Sequence, residues 1–156
     1  RKEPIDPRDF LKKLHDSGWK IIYLNRENKL NQVLSSLIRI ERGMARKYDE
    51  QPDDILLNVD TGVIARLIED RITFEQQERQ ALVGVPFLEI TYEHHLEYEE
   101  NHQKTIDSIL AHFGLESSIV STRLKKINKL KTNERVDNYD ELYNLLKEKQ
   151  WLNFID

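Results

Sequence analysis

The chain has 156 residues, 24 of them basic and 28 acidic, and its net charge of −4 argues against general nucleic-acid binding. It contains no cysteine, which excludes disulfide frameworks and thiolate metal sites. No apolar run approaches the roughly 18 residues of a membrane span and no signal peptide is visible, so a cytoplasmic protein with no transmembrane segment is expected, of a length that suits one domain with a real core.

Asp6 followed by Pro7 reads as an N-cap and first turn, with Phe10, Leu11 and Leu14 on one apolar face and Gly18 at the helix exit. Ile21, Ile22, Tyr23 and Leu24 follow as a short β-branched and aromatic run, the pattern of a buried strand near 20–24. After a polar break, Asn25-Arg26-Glu27-Asn28, residues Leu30, Val33, Leu34, Leu37 and Ile38 recur at helical spacing. Arg26 therefore sits just off a strand end, and Ser35 about two turns into the next helix. In open α/β sheets the crevice beyond the strand ends takes ligands, and a guanidinium matches phosphate bidentately. The alternative for the same residues is an arginine that caps or pairs locally and two helix serines that face solvent.

Tyr23-Leu24-x-Arg26, then Lys29-Leu30-x-Gln32, then Ser35 nine residues after Arg26, resembles the 3′-phosphate-binding segment of sulfotransferases. The likeness is to the bacterial carbohydrate and lipid type, including the nodulation-factor and trehalose sulfotransferases. The resemblance implies that Arg26 and Ser35 hold the 3′-phosphate of 3′-phosphoadenosine-5′-phosphosulfate (PAPS), the sulfuryl donor. Many relatives space the pair one residue closer; Ser35 is the choice here and Ser36 stays open.

Residues 43–52 are polar and read as a loop. Asp60-Thr61 caps a long helix with Val63, Ile64, Leu67, Ile68, Ile72 and Leu82 as its stripe, and Gly84-Val85-Pro86 ends it. A second strand is expected near 86–91. Tyr92-Glu93 followed by Leu96 resembles the Tyr-Glu-Asp-Leu segment of the same family, which implies that Tyr92 lies beside the adenine and that Glu93 is mainly structural. His94-His95 stands where the family usually has Asp. A helix near 101–113, with Ile106, Ile109, Leu110 and Phe113 inward, closes at Gly114, and its ending resembles the family's Phe-Leu-Gly-Leu. Arg123 to Lys131 carries five cations and no acid. It reads as a solvated face, or, by the resemblance, as a basic segment in which Arg123, Lys125 or Lys126 closes over the nucleotide. Asn138-Tyr139-Asp140-Glu141 opens a final helix, as it often does in that family, with Trp151, Leu152 and Phe154 as its anchor.

No glycine-rich loop of the kind that holds a 5′-phosphosulfate appears. With Arg1 rather than Met at the start, the expectation is the C-terminal part of a sulfotransferase, a single domain over 1–156 that is inactive alone, with no catalytic base to name. The fold implied is α/β, P-loop NTPase-like and mostly helical in this portion. The implied reaction moves a sulfuryl group from PAPS to a hydroxyl of a carbohydrate, lipid or small molecule. The alternatives are a nucleotide-dependent kinase of related fold and a non-catalytic helical interaction domain. His94, His95, His102 and His112 lack a metal-ligand spacing, so no metal is expected.

Overall fold

The computed structural model describes residues 5–41, 56–121 and 130–155. The loop expected at 43–52, and Arg123, Lys125 and Lys126, lie outside the described residues. The chain divides into two compact units, Arg1–Glu27 with Thr73–Arg123, and Asn28–Ile72 with Leu124–Asp156.

In the first unit the Asp6 carboxylate accepts the amides of Arg8 and Asp9 at 2.8 and 3.2 Å, which starts α1 (Pro7–Asp16) where the cap and proline dictate. Leu11 and Leu14 are half-buried, but Phe10 is exposed, so the apolar face is narrower than the spacing suggests. Gly18 takes a φ of 91°, the left-handed conformation a helix exit favours glycine for. Strand β1 (Ile22–Asn25) pairs in parallel with β2 (Leu88–Thr91), in the register Ile22↔Leu88 to Asn25↔Thr91. A small parallel sheet in a mostly helical chain is the α/β character expected. The run read as a buried strand is buried on one side only, because Tyr23 and Asn25 point inward while Ile22 and Leu24 are exposed. Asn25, placed in the polar break by the sequence reading, is the last strand residue and is buried.

Tyr23 organises the interior on that side. Its hydroxyl donates to Glu78 at 3.2 Å, Phe87 meets its ring edge-on at 6.0 Å, and the Arg79 guanidinium lies 5.3 Å above it. Burial, followed by the Glu78 carboxylate, pushes its phenol up to about 12. Arg79 donates to Glu89 at 2.7 Å and to Glu75 at 3.0 Å, and those two carboxylates hold it firmly charged. Past β2 come the single turn α4 (Tyr92–His95) and α5 (His102–Phe113), closed by Gly114 at φ 72°. Two corrections apply to α5. Phe113 is exposed rather than inward, and the buried residue is Thr105, whose hydroxyl reaches the carbonyls of Asn101 and His95 at 2.8 and 2.9 Å.

The second unit is a helical core. Its helices are α2 (Lys29–Glu41), the first half of α3 (Thr61–Ala81), α6 (Thr132–Arg135) and α7 (Tyr139–Glu148). The 3.6-residue spacing read from the sequence puts Leu30, Val33, Leu34 and Ile38 on one face of α2, and all four are buried against Ile64, Ile68, Leu142 and Leu146. Val63 departs from the expected stripe and is half exposed. Asn138 locks α7 to the segment before α3: its Oδ1 accepts the Val59 amide at 2.9 Å and its Nδ2 donates to the Val59 carbonyl at 2.8 Å. Trp151 and Phe154 pack on this core as expected, whereas Leu152 is exposed.

Candidate functional site

Parallel pairing sets Asn25 beside Thr91, so the residues that leave the carboxyl ends of the two strands, Arg26 and Tyr92, emerge as neighbours. The Arg26 guanidinium lies over the Tyr92 ring, 4.5 Å from its centroid. Glu93 links the two strand ends. Its Oε1 is 3.5 Å from Arg26 Nε, and its Oε2 accepts the Glu27 amide at 2.9 Å. Both partners of that ion pair are about four-fifths buried, at 22 and 19% side-chain exposure, so the contact is screened less than a surface pair. His94 Nε2 stands 3.2 Å from Glu27 Oε2, with both side chains mostly exposed.

Local contacts fix where Tyr92 and Glu93 point. His95 Nδ1 lies 3.0 Å from the Thr91 amide and 2.9 Å from its carbonyl, folding the α4 turn back on the strand end. The Thr105 hydroxyl at the His95 carbonyl, and His102 Nε2 at 2.8 Å from the Leu96 carbonyl, pin that turn to α5. Three of the histidines read as non-metal residues therefore have definite partners. Among the described residues no group of three His, Asp or Glu could hold a metal, and no helix is long and apolar enough to cross a membrane.

Among the described residues the arrangement supplies the Arg26 guanidinium, the Tyr92 ring beside it and the Glu27 and Glu93 carboxylates. The cation can contact an anion and the ring an aromatic base, with one ring face already taken by Arg26. Of the residues singled out in the sequence, Arg26 and Tyr92 come together here. Ser35 belongs to the second unit, where it is exposed on α2, and Ser36 donates to the Gln32 carbonyl at 2.9 Å. Glu27 and the contact through His94 were missed by sequence reasoning. They become visible only once the β1–β2 register is known, since Glu27 and Glu93 are 66 residues apart in sequence. Two shallow, open depressions of about 440 and 470 Å³, one lined by Arg79 with 82–87 and one by 17–20 with Phe113, involve neither Arg26 nor Tyr92.

No family model, curated protein or solved structure matches this chain.

Proposed function

We propose that this chain is the nucleotide-binding portion of a PAPS-dependent sulfotransferase acting on a hydroxyl of a carbohydrate, lipid or small-molecule acceptor. The observation that carries the reading is Arg26 laid against Tyr92 at the carboxyl ends of two parallel strands. The two segments on which the resemblance rests, Tyr-Leu-x-Arg and Tyr-Glu, are thereby side by side, although the sequence separates them widely.

PAPS supplies the activated sulfuryl group, whose bond to the phosphate oxygen breaks as a bond to the acceptor oxygen forms, while the acceptor's proton passes to a base. The demands are in-line placement and stabilisation of negative charge on the leaving phosphate. In this reading Arg26 contacts the 3′-phosphate, and Glu93 and the Tyr92 ring hold the guanidinium in one orientation. Tyr92 offers its remaining surface to the adenine. Ser35 and the basic residues Arg123, Lys125 and Lys126 enter from the resemblance alone. Arg26 would be the partner of the phosphate, with Glu27 and Glu93 beside it.

The test is calorimetric titration of wild type and Arg26→Ala with 3′-phosphoadenosine-5′-phosphate and with adenosine-5′-phosphosulfate, which lacks the 3′-phosphate. A charged hydrogen bond of this kind contributes about 1.5–3 kcal/mol, so Arg26→Ala is expected to weaken the first ligand about 10- to 150-fold more than the second. Equal losses for both, or none, would make Arg26 a structural residue.

A further inference from the structure

The strand-end cluster depends on a piece of helix too short to hold its own shape. Helix α4 is a single turn, Tyr92–His95, and its N-cap Thr91 makes no side-chain hydrogen bond. Closing one turn fixes several backbone angles for a single hydrogen bond, so an isolated turn does not persist. This turn nevertheless carries Tyr92, on which Arg26 lies, and Glu93, which pairs with Arg26 and takes the Glu27 amide. Its exit is held from α5. The Thr105 hydroxyl donates to the His95 carbonyl at 2.9 Å and to the Asn101 carbonyl at 2.8 Å, and His102 Nε2 lies 2.8 Å from the Leu96 carbonyl. Thr105 is buried, at 2% exposure, whereas the apolar Ile106, Ile109 and Leu110 of the same helix are only half-buried. Enclosing a hydroxyl is costly unless it is bonded, and the most enclosed position of α5 holds one. Resting on the nucleotide reading above, we infer that Thr105 is a positioning residue for the 3′-phosphate site. Its hydroxyl, acting through the His95 carbonyl and the α4 turn, sets Glu93 and Tyr92 where they orient Arg26.

The contacts give this effect a route. Thr105 fixes the carbonyl at the end of the turn, and His95 Nδ1, 3.0 Å from the Thr91 amide and 2.9 Å from its carbonyl, closes the turn onto the strand end. Glu93 lies between those two anchors and faces back to Arg26 and Glu27. The two bonds of the hydroxyl differ in purpose. The one to Asn101, four residues earlier, is a back-bond that a helix does not need. The one to His95 reaches outside α5 and ties two elements together. A neutral hydrogen bond corresponds to about a two- to tenfold change in an equilibrium. Its loss can loosen the turn by no more than that, which is less than the loss expected when Arg26 itself is removed.

Two variants separate the hydroxyl of Thr105 from its volume. Thr105→Val keeps the shape and removes the hydroxyl, and Thr105→Ser keeps the hydroxyl and removes the methyl. The first readout is calorimetric titration with 3′-phosphoadenosine-5′-phosphate and adenosine-5′-phosphosulfate. Thr105→Val is expected to weaken the first ligand about two- to tenfold more than the second, and Thr105→Ser to keep the preference of wild type. The second readout needs no ligand. The Glu27 amide, held by Glu93 at 2.9 Å, is expected to exchange its hydrogen about two- to tenfold faster in Thr105→Val than in wild type or Thr105→Ser. The Leu88 amide, bonded to the Ile21 carbonyl within the sheet, should change less and serves as the reference for overall stability. His102→Leu, which removes the other tie to the turn, is expected to act in the same direction and stands in if Thr105→Val does not fold. Equal losses in Thr105→Val and Thr105→Ser, or an unchanged preference with unchanged Glu27 exchange, overturn the positioning role. Binding of neither nucleotide by wild type removes the proposed function; faster Glu27 exchange in Thr105→Val then still supports Thr105 as the residue that sets the strand end, and unchanged exchange overturns it.

Discussion

The two units differ in how fully they enclose apolar side chains. In the second, Leu30, Leu34, Ile64, Ile68, Leu142 and Leu146 are fully enclosed and form one apolar cluster. In the first, among the described residues, no large side chain reaches that degree of burial. Its interior mixes Tyr23, Leu82, Val85 and Ile90 with the polar Asn25, Thr91 and Thr105. Both units also bury polar side chains, Asn25, Thr91 and Thr105 in the first and Lys29, Thr132 and Arg135 in the second, so what distinguishes the second is its enclosed apolar cluster. Non-directional packing tolerates exchange of one apolar residue for another of similar volume. A directed network does not, since each lost partner leaves a group desolvated for nothing. The candidate site lies in the first unit, where Glu93 and the Tyr92 ring hold Arg26 in place.

The sharpest way to break this contrast is Leu34→Ala beside Leu24→Ala. Leu34 is fully buried and its truncation is expected to cost about 2–5 kcal/mol, whereas Leu24 is 59% exposed and its truncation should stay within about 0.5 kcal/mol. Urea unfolding followed by circular dichroism measures both; similar costs would erase the distinction. Next in size is Asn138→Ala, a directed contact inside the apolar unit. It strips partners from both backbone groups of buried Val59 and is expected to cost about 1–3 kcal/mol. Asn138→Asp, which keeps an acceptor for the Val59 amide but loses the donor to its carbonyl, should recover only part of that.

Smallest is Tyr23→Phe, which removes the hydrogen bond to Glu78 and is expected to cost about 1 kcal/mol near neutral pH. The sign with pH follows from the raised phenol. Because the folded value is pushed up to about 12, above the ordinary value of about 10, the contribution of Tyr23 is complete below about pH 10. It is lost as the pH climbs toward about 12. Urea midpoints at about pH 8 and about pH 11 should therefore fall further for wild type than for Tyr23→Phe. An identical drop would show that the phenol is not held neutral by the fold.

Elements whose causes are local were legible in the sequence. Asp6-Pro7 starts α1, Asp60 caps α3 through the Val63 amide at 3.0 Å, Gly114 closes α5, and the α2 stripe is buried where its period places it. The failures are at positions decided by distant chain. Phe113 has the right spacing for the α5 interior yet is exposed, while Thr105 is buried because two carbonyls await its hydroxyl. Half of the candidate site was legible as residue types, Arg26 and Tyr92. Their contact, and the bridging by Glu93, follow from a strand register that no local pattern encodes.

That register has a kinetic side. The pairing of β1 with β2 spans a long stretch of chain, and Glu93 closes the same gap when it takes the Glu27 amide 66 residues away. Contacts of such separation carry the entropy of loop closure, although each doubling of a flexible loop adds only about 0.6 kcal/mol. Much of the intervening chain is helix, α2 and α3, built from contacts a few residues apart that form quickly. Early helices shorten the effective loop and lower the cost of bringing the strands together. The cradle of Arg26 and Tyr92 is thus closed by contacts far longer in sequence than those within the helices between its strands.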